Sequence, residues 1–200
     1  MSPDPQPLTD SPDAAAVRAV LQALQDGYTH RDLEQVDTVM SLFVADEALE
    51  VIGTGAESRG DEEWCLGTAA TRGLIESDWR HWGDLRLDVA GAHIHLAGDV
   101  AWLATQATVT EQIEPSANFD EYVGFAREIL EGDSTPEMKL LELVRTGTHA
   151  LFESAQGDAY IWPLRFTAVL VRTGGSWRFH QMQFSYPTTR FPDVRRTDSS

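Results

Sequence analysis

The chain has 200 residues, of which 42% are hydrophobic, and this is enough for one domain that buries a core without a stabilising metal or disulfide. Its formal net charge of −17, from 15 basic and 32 acidic side chains, excludes nucleic acid and anionic membranes as favourable partners. The single cysteine, Cys65, excludes an intrachain disulfide and is typical of a reducing compartment. The sequence shows neither a signal-peptide pattern nor an apolar run of the ~20 residues that span a bilayer, so it predicts a cytoplasmic protein.

The N-terminal part predicts a disordered lead-in followed by a long amphipathic helix. Residues 1–10 are rich in proline and aspartate and have no hydrophobic period. Ser11 is a suitable N-cap and Pro12 a suitable first helical residue. Apolar residues then recur at three- and four-residue steps as far as Tyr28, which predicts a helix that ends near His30.

Three further elements are predicted before the sheet. Asp32 and Gln35 resemble a capping box for a second, shorter helix. The stretch 48–54 is short and β-branched, and a turn-prone GAESRG follows it, so it predicts a strand and a loop. A third helix is predicted to open at Gly60 and to continue through Ile75.

The rest of the chain predicts antiparallel strands. One run, 85–97, is joined to a second, 100–113, by Gly98-Asp99, and the two closing runs are separated by a Gly-Gly turn at 174–175. Both dipeptides are typical of β-hairpins. Because helices come first and an antiparallel sheet follows, the sequence predicts an α+β fold.

A two-helix insertion, at 114–158, interrupts this pattern before the last hairpin. Asn118 with Glu121 resembles a capping box that opens the first helix, and Thr135 with Pro136 opens the second. An excursion of this size is interpreted either as a lid over a ligand site or as an oligomer contact.

The order of elements resembles the nuclear transport factor 2-like superfamily, in particular its SnoaL-like and kinase-association-domain branches. The run WRFHQMQFS that follows the Gly-Gly turn is similar to the ending of SnoaL-like domains, and FVADEALEVIGTG, at 43–55, is similar to their entry strand and loop. The resemblance covers 14–187 apart from the insertion. It implies one domain at 11–187, followed by a flexible tail at 188–200.

This resemblance implies a cone, in which a curved antiparallel sheet wraps around the N-terminal helices and leaves an apolar pocket open at one end. Superfamily members include isomerases, cyclases, dehydratases, ligand-binding modules and association domains, so the fold by itself does not select a function. Members commonly form dimers through the outer face of the sheet.

The last two strands support a dimer independently, since neither alternating set of side chains in them is plainly suited to solvent. A homodimer through the outer sheet face is therefore predicted, and cover by the insertion helices is the alternative.

The stretch DWRHWGD, at 78–84, gathers two tryptophans, a histidine and charged side chains at a helix end. Trp79 and Trp82 are three residues apart and share a helical face, so they are predicted to line a pocket wall. Asp78 is interpreted as helix-end solvation, paired with Arg80. The predicted ligand-binding set is Tyr28, Phe43, Trp64, Trp79, Trp82, Trp102, Arg165 and His180.

Two members of this set, His180 and Arg165, and two histidines outside it are polar candidates for the site. By strand alternation, His180 falls with Met182 and Phe184 on a mostly apolar surface, which makes it the candidate catalytic residue. Arg165, within the apolar run WPLRFTAVL, is interpreted as a contact for an anionic ligand group, as a side chain that snorkels, or as a partner of a carboxylate at the interface. His93 and His95 share a strand face but lack further ligands, so no metal site is predicted.

These features predict a small-molecule-binding protein without an assignable turnover or cofactor. The alternative is a cofactor-independent isomerase, cyclase or dehydratase that acts on a hydrophobic carbonyl substrate. Such an enzyme requires a buried carboxylate or histidine with a shifted pKa, and no carboxylate stands out in the sequence as that group.

Overall fold

A computed structural model describes residues 11–61, 63–112, 115–156 and 159–186. The predicted lead-in, 1–10, and the predicted tail, 188–200, lie outside the described residues. The described residues form two compact units. The first contains the chain up to Val109 together with Trp162–Tyr186, and the second contains Thr110–Ile161.

Three α-helices belong to the first unit, and local chemistry fixes their ends. The Ser11 Oγ accepts a hydrogen bond from the Ala14 backbone N–H at 3.1 Å, as predicted for an N-cap. At the other end of this helix Arg31 adopts the left-handed conformation, with φ 49°. Asp32 caps a short 3-10 turn, Leu33–Gln35, which leads directly into the second helix. The helices are α1, Pro12–His30; α2, Val36–Met40; and α3, Gly67–His81.

Seven strands of the described residues form one sheet. In sequence they are β1, Glu50–Ile52; β2, Trp64–Leu66; β3, Asp84–Leu87; β4, His93–Ala97; β5, Val100–Gln112; β6, Ala159–Thr173; and β7, Ser176–Ser185. The spatial order is β2-β1-β7-β6-β5-β3, with β4 paired to β5. The predicted α+β class is confirmed, but the sheet is mixed because β1 runs parallel to β7. Both predicted hairpins form, and Gly98, Gly174 and Gly175 supply the positive φ angles that their turns require.

The inner face of the sheet carries the core of the first unit. α1 packs on β3, β4 and β7, and α3 packs on β1 and β2. The inner side chains of the central strands are fully or almost fully buried: Val51, Cys65, Phe166, Ala168, Leu170, Phe179, Met182 and Phe184. The alternation of β1, β2 and β6 therefore follows the hydrophobic pattern.

A β-bulge in β7 breaks the simple alternation of the last strand. Val169 pairs with Gln181, whereas the next residue, Leu170, pairs with Phe179. His180 is the extra residue, and it changes which parity of the strand faces inward. As a result Phe179 and Met182, three residues apart, are both fully buried.

Two predicted elements differ in their bounds. Trp64 lies in β2 and not in the third helix, which begins at Gly67, because Asp61 holds the preceding loop in a tight turn. The Asp61 carboxylate accepts hydrogen bonds from the backbone N–H groups of Glu57, Ser58, Glu63 and Trp64. The predicted strand 85–97 is two strands, since Asp88 accepts the Gly91 N–H in a turn between them.

The second unit contains the predicted helical insertion, as α4, Pro115–Glu131, and α5, Pro136–Gln156, which pack against each other. α4 begins earlier than predicted, because Pro115 suits the first turn of a helix. α5 begins where predicted, and the Thr135 Oγ1 accepts the Met138 N–H at 3.3 Å. No described helix is long and apolar enough to cross a membrane.

Two helical glycines of the first unit provide a matched test of its packing. A Cβ added at Gly27 in α1 would lie 2.4 Å from the Val39 Cγ2 atom, whereas one added at Gly73 in α3 would meet nothing within 4 Å. We expect Gly73→Ala to raise the free energy of unfolding by about 0.5–1 kcal/mol through helix propensity. Gly27→Ala should instead lower it by about 1–3 kcal/mol through overpacking. Urea denaturation measures both, and equal effects of the two changes would contradict this account of α1–α2 packing.

Candidate functional site

The site with the clearest chemistry is a carboxylate–phenol pair between α1 and α3. Tyr28 is fully buried, and its hydroxyl donates a hydrogen bond to the Asp78 Oδ2 at 2.8 Å. Asp78 is largely shielded but keeps part of its surface accessible. The pair joins residues that are 50 positions apart in sequence.

Aromatic rings surround this pair. Trp79 and Trp82 each meet Tyr28 edge to face, with ring centroids 6.4 and 6.1 Å apart, and Trp82 meets Phe184 of β7 at 5.6 Å. These three predicted wall residues, Tyr28, Trp79 and Trp82, therefore do lie together. The indole N–H of Trp79 is buried and has no hydrogen-bond partner among the described residues, so it is available to an acceptor.

The surroundings of Asp78 favour its protonated form. Burial raises the pKa of the Asp78 carboxyl from its ordinary 3.8 to about 7, and the negative charge of Glu63 raises it further, whereas the Tyr28 hydrogen bond opposes the shift. Burial and the Asp78 charge also raise the pKa of Tyr28 well above its ordinary value. Tyr28 is thus a neutral donor, and Asp78 exchanges a proton near neutral pH.

Cys65 lies on the inner sheet face near this pair. It pairs with Val51 across β1 and β2 and is buried. Burial, followed by the charges of Asp78, Asp61 and Glu63, raises the pKa of the Cys65 thiol to about 11. The thiol is therefore protonated at neutral pH and is not an activated nucleophile.

The sequence interpretation of Asp78 was wrong. Asp78 bonds to Tyr28 and not to Arg80, which instead forms an ion pair with Glu76 at 3.6 Å. The overlooked signal is the position of Asp78 three residues after Ile75, on the stripe of α3 that also contains the buried Thr71 and Trp79.

Two further predicted wall residues occupy other places in the first unit. Phe43 is buried and packs on Phe179 with ring centroids 5.3 Å apart, so it belongs to the core. The Trp64 indole donates to the Glu50 Oε1 at 2.8 Å. Because Trp64 alternates with the inward-facing Cys65, its ring lies on the outer side of the sheet.

The remaining predicted contacts do not join the pair. Trp102 is 45% exposed and stacks on His95, with ring centroids 5.4 Å apart. Arg165 is exposed and donates to the backbone oxygen of Tyr186 at 2.7 Å. His180 occupies the bulge position, and the changed parity separates it from Met182 and Phe184.

The outer sheet face carries an open groove of about 340 Å³. Exposed His93 and His95 line it together with Trp102, Thr167, Val169 and Gln181. Within the described part of the chain, no group of three or more histidine, cysteine or carboxylate side chains is placed to hold a metal ion.

Several solved structures share the fold of this chain. A provisionally named dehydratase of the nuclear transport factor 2-like family from Streptomyces avermitilis is 12% identical, with a TM-score of 0.54 over 88% of this chain and 96% of that one. A ketosteroid isomerase-like protein from Erwinia carotovora atroseptica is 12% identical, with a TM-score of 0.52 over 88% and 98%. A nuclear transport factor 2-like superfamily protein from Salmonella enterica is 11% identical, with a TM-score of 0.54 over 94% of both chains.

The sequence comparison points to the same group. No curated protein matches the chain in sequence. The family model of the SnoaL-like domain matches residues 17–118, which include both members of the Tyr28–Asp78 pair. With half of its length matched by that model, the chain belongs to the SnoaL-like domain family, and it has the nuclear transport factor 2-like fold.

Proposed function

We propose that the protein is a cofactor-independent acid–base enzyme that acts on a small, largely apolar carbonyl or hydroxyl compound, with Asp78 as its proton carrier. The observation that carries this proposal is the Tyr28–Asp78 hydrogen bond in a shielded, aromatic setting. Asp78 is thus a largely shielded carboxyl group with a raised pKa, which is what a catalytic function requires.

A carboxyl group with a pKa of about 7 is suited to proton transfer at neutral pH. Ionised Asp78 would remove a proton from the carbon next to a substrate carbonyl and return it at another carbon, which is an isomerisation without change of composition. Protonated Asp78 would give its proton to a departing hydroxyl, and the return of a substrate proton to Asp78 would complete a dehydration. Tyr28 orients the carboxyl in both cases.

Apolar substrates suit the surroundings of the pair. Trp79, Trp82 and Phe184 provide ring surface, and the unpartnered Trp79 N–H is a donor that a carbonyl oxygen would satisfy. The similar structures named for dehydratase and isomerase relatives agree with this chemistry at the level of fold. Binding of a ligand without turnover is the competing function.

The protonation of Asp78 should be visible in folding stability. Its pKa is higher in the folded chain than in the unfolded chain, so its contribution to stability is complete below about pH 4 and is lost as pH rises through about 7. We expect Asp78→Asn to be more stable than the wild type at pH 8 by about 2–3 kcal/mol, and the difference should shrink toward pH 4. Urea denaturation at several pH values measures this difference.

Glu76→Gln is the matched control for that experiment, because Glu76 lies on the same helix and pairs with Arg72 and Arg80. It should cost only a few tenths of a kcal/mol, with no comparable change between pH 5 and 8. If the curves of Asp78→Asn and the wild type run parallel over that range, Asp78 does not carry the proton.

Catalysis itself is tested by deuterium exchange at the α-carbon of uncharged cyclic ketones in D₂O, followed by NMR. We expect protein-dependent exchange with at least one ketone of the panel, and we expect Asp78→Asn to lower its rate at least about 100-fold. Tyr28→Phe should lower the rate less, since it removes an orienting bond. Arg165→Ala, outside the pair, should leave the rate unchanged.

Alkylation of Cys65 distinguishes catalysis from binding without turnover, because Cys65 is the chain's one thiol and lies near the Tyr28–Asp78 pair. A ketone that slows alkylation of Cys65 occupies the interior. If ketones protect Cys65 but none exchanges, or if Asp78→Asn exchanges as fast as the wild type, the catalytic proposal is wrong.

We also propose that two copies of the chain associate through the outer sheet face. A tryptophan that is 45% exposed, Trp102, stands beside Val169 in the groove of this face, and burial against a second copy would remove both from water. Trp102→Glu would place a charge in that interface.

Sedimentation equilibrium tests the association. We expect a dimer of the wild type and a shift toward monomer of at least about tenfold in dissociation constant for Trp102→Glu. Ala19→Glu, an exposed change on α1, which packs on the opposite face of the sheet, should leave the dimer intact. A monomeric wild type would contradict the proposal.

A further inference from the structure

The turn after β1 is shaped around the side chain of Glu63. Gly55 donates its backbone N–H to the Glu63 Oε2 at 2.6 Å. A Cβ added at Gly53 would lie 2.5 Å from that oxygen, and one added at Gly55 would lie 2.8 Å from the Glu63 Oε1. Both distances are shorter than real Cβ contacts, so the two glycines leave the space that the carboxylate fills.

The strand register places Glu63 on the inner face of the sheet. Val51 pairs with Cys65, and both are buried on that face. The Gly53 N–H donates to the Glu63 backbone oxygen at 2.7 Å, which extends the same ladder by two residues. Side chains two residues apart on a strand share a face, so Glu63 points to the same side as Cys65.

The adjoining loop fixes this position from the other end. The Asp61 Oδ1 accepts the backbone N–H groups of Glu63 and Trp64 at 3.0 and 2.5 Å. The hydrogen bonds that Asp61 accepts from the backbone N–H groups of Ser58 and Glu57, together with these two, lower its pKa, so it stays ionised at neutral pH. Glu63 is therefore held by its own backbone as well as by its carboxylate.

We propose that Glu63 is a positioning residue of the site: its carboxylate is fixed on the Gly53–Gly55 turn, on the inner sheet face against which α3, the helix of Asp78, packs, and it acts there as a second negative charge. The inference rests on the proposed function of Asp78 and assigns a second carboxylate to the same site. Asp78 is the group that exchanges the proton, and Glu63 acts through it.

The groups around Asp78 are consistent with this role. Burial is the main cause that favours the protonated form of Asp78, the hydrogen bond from Tyr28 of α1 stabilises the ionised form, and Glu63 opposes the ionised form by like charge. Cys65 of β2 is a neutral thiol at the same pH. Glu63 thus adds to the effect of burial on Asp78.

The test is a direct titration of the Asp78 carboxyl carbon by ¹³C NMR in the full chain. Glu63→Gln should lower the pKa of Asp78 by about 0.3–1 unit, since it removes a like charge. Gly55→Ala should act in the same direction without changing the net charge, because the added Cβ displaces the carboxylate. The acid limb of any exchange activity should move by the same amount.

Glu57→Gln is the matched control. It removes the same charge from an exposed position of the same loop, where the Glu57 backbone N–H donates to Asp61, and it should shift the pKa of Asp78 by less than about 0.1 unit. If Glu63→Gln shifts Asp78 no more than Glu57→Gln does, Glu63 has no positioning role. That failure is distinct from failure of the proposed function, in which Asp78→Asn would leave the exchange rate unchanged.

Discussion

The hydrogen bond between Tyr28 and Asp78 is the interaction around which the first unit is organised. It connects α1 and α3, the two long helices packed on the inner sheet face, and it lies where the aromatic rings of Trp79 and Trp82 converge on Tyr28. Placing a carboxylate there is unfavourable unless it is hydrogen-bonded or protonated. Both conditions are met here. Tyr28 donates a hydrogen bond to the ionised form of Asp78, and burial raises the pKa of Asp78 to about 7, which favours its protonation.

The same constraint links folding and function. A carboxyl that is easily protonated in the folded chain lowers stability at alkaline pH, and natural proteins accept such a cost at functional sites. The neighbouring Glu63 adds like charge instead of relieving it, and two glycines leave the space for its carboxylate. This arrangement lowers stability, and it is consistent with the proton transfer proposed for Asp78.

Two interruptions of regular structure position the rest of the first unit. The bulge at His180 lets both halves of β7 bury their apolar residues, although the pattern changes parity within the strand. The turn around Asp61 ends the loop so that β2 can pair with β1 and α3 can begin at Gly67. Without the bulge, Phe179 and Met182 would face opposite sides of the sheet.

Local signals in the sequence were sufficient for the α+β class, the first helix and both hairpins. The Ser11 cap, the periodic stripe up to Tyr28 and the Gly-Gly turn at 174–175 depend on interactions within a few residues, and such interactions are readable from the chain alone. The register of β7 was missed, because the change of parity between Phe179 and Met182 identifies a bulge only when the pairing with β6 is known, and that bulge places His180 away from Met182. Trp102 and Arg165 are residue types that commonly line pockets. The side of the sheet that they face, however, depends on pairing between distant strands. Helical periodicity could have placed Asp78 on the inner stripe of α3. Its hydrogen bond to Tyr28, 50 residues away, and its raised pKa arise only when α1 and α3 pack together and exclude water.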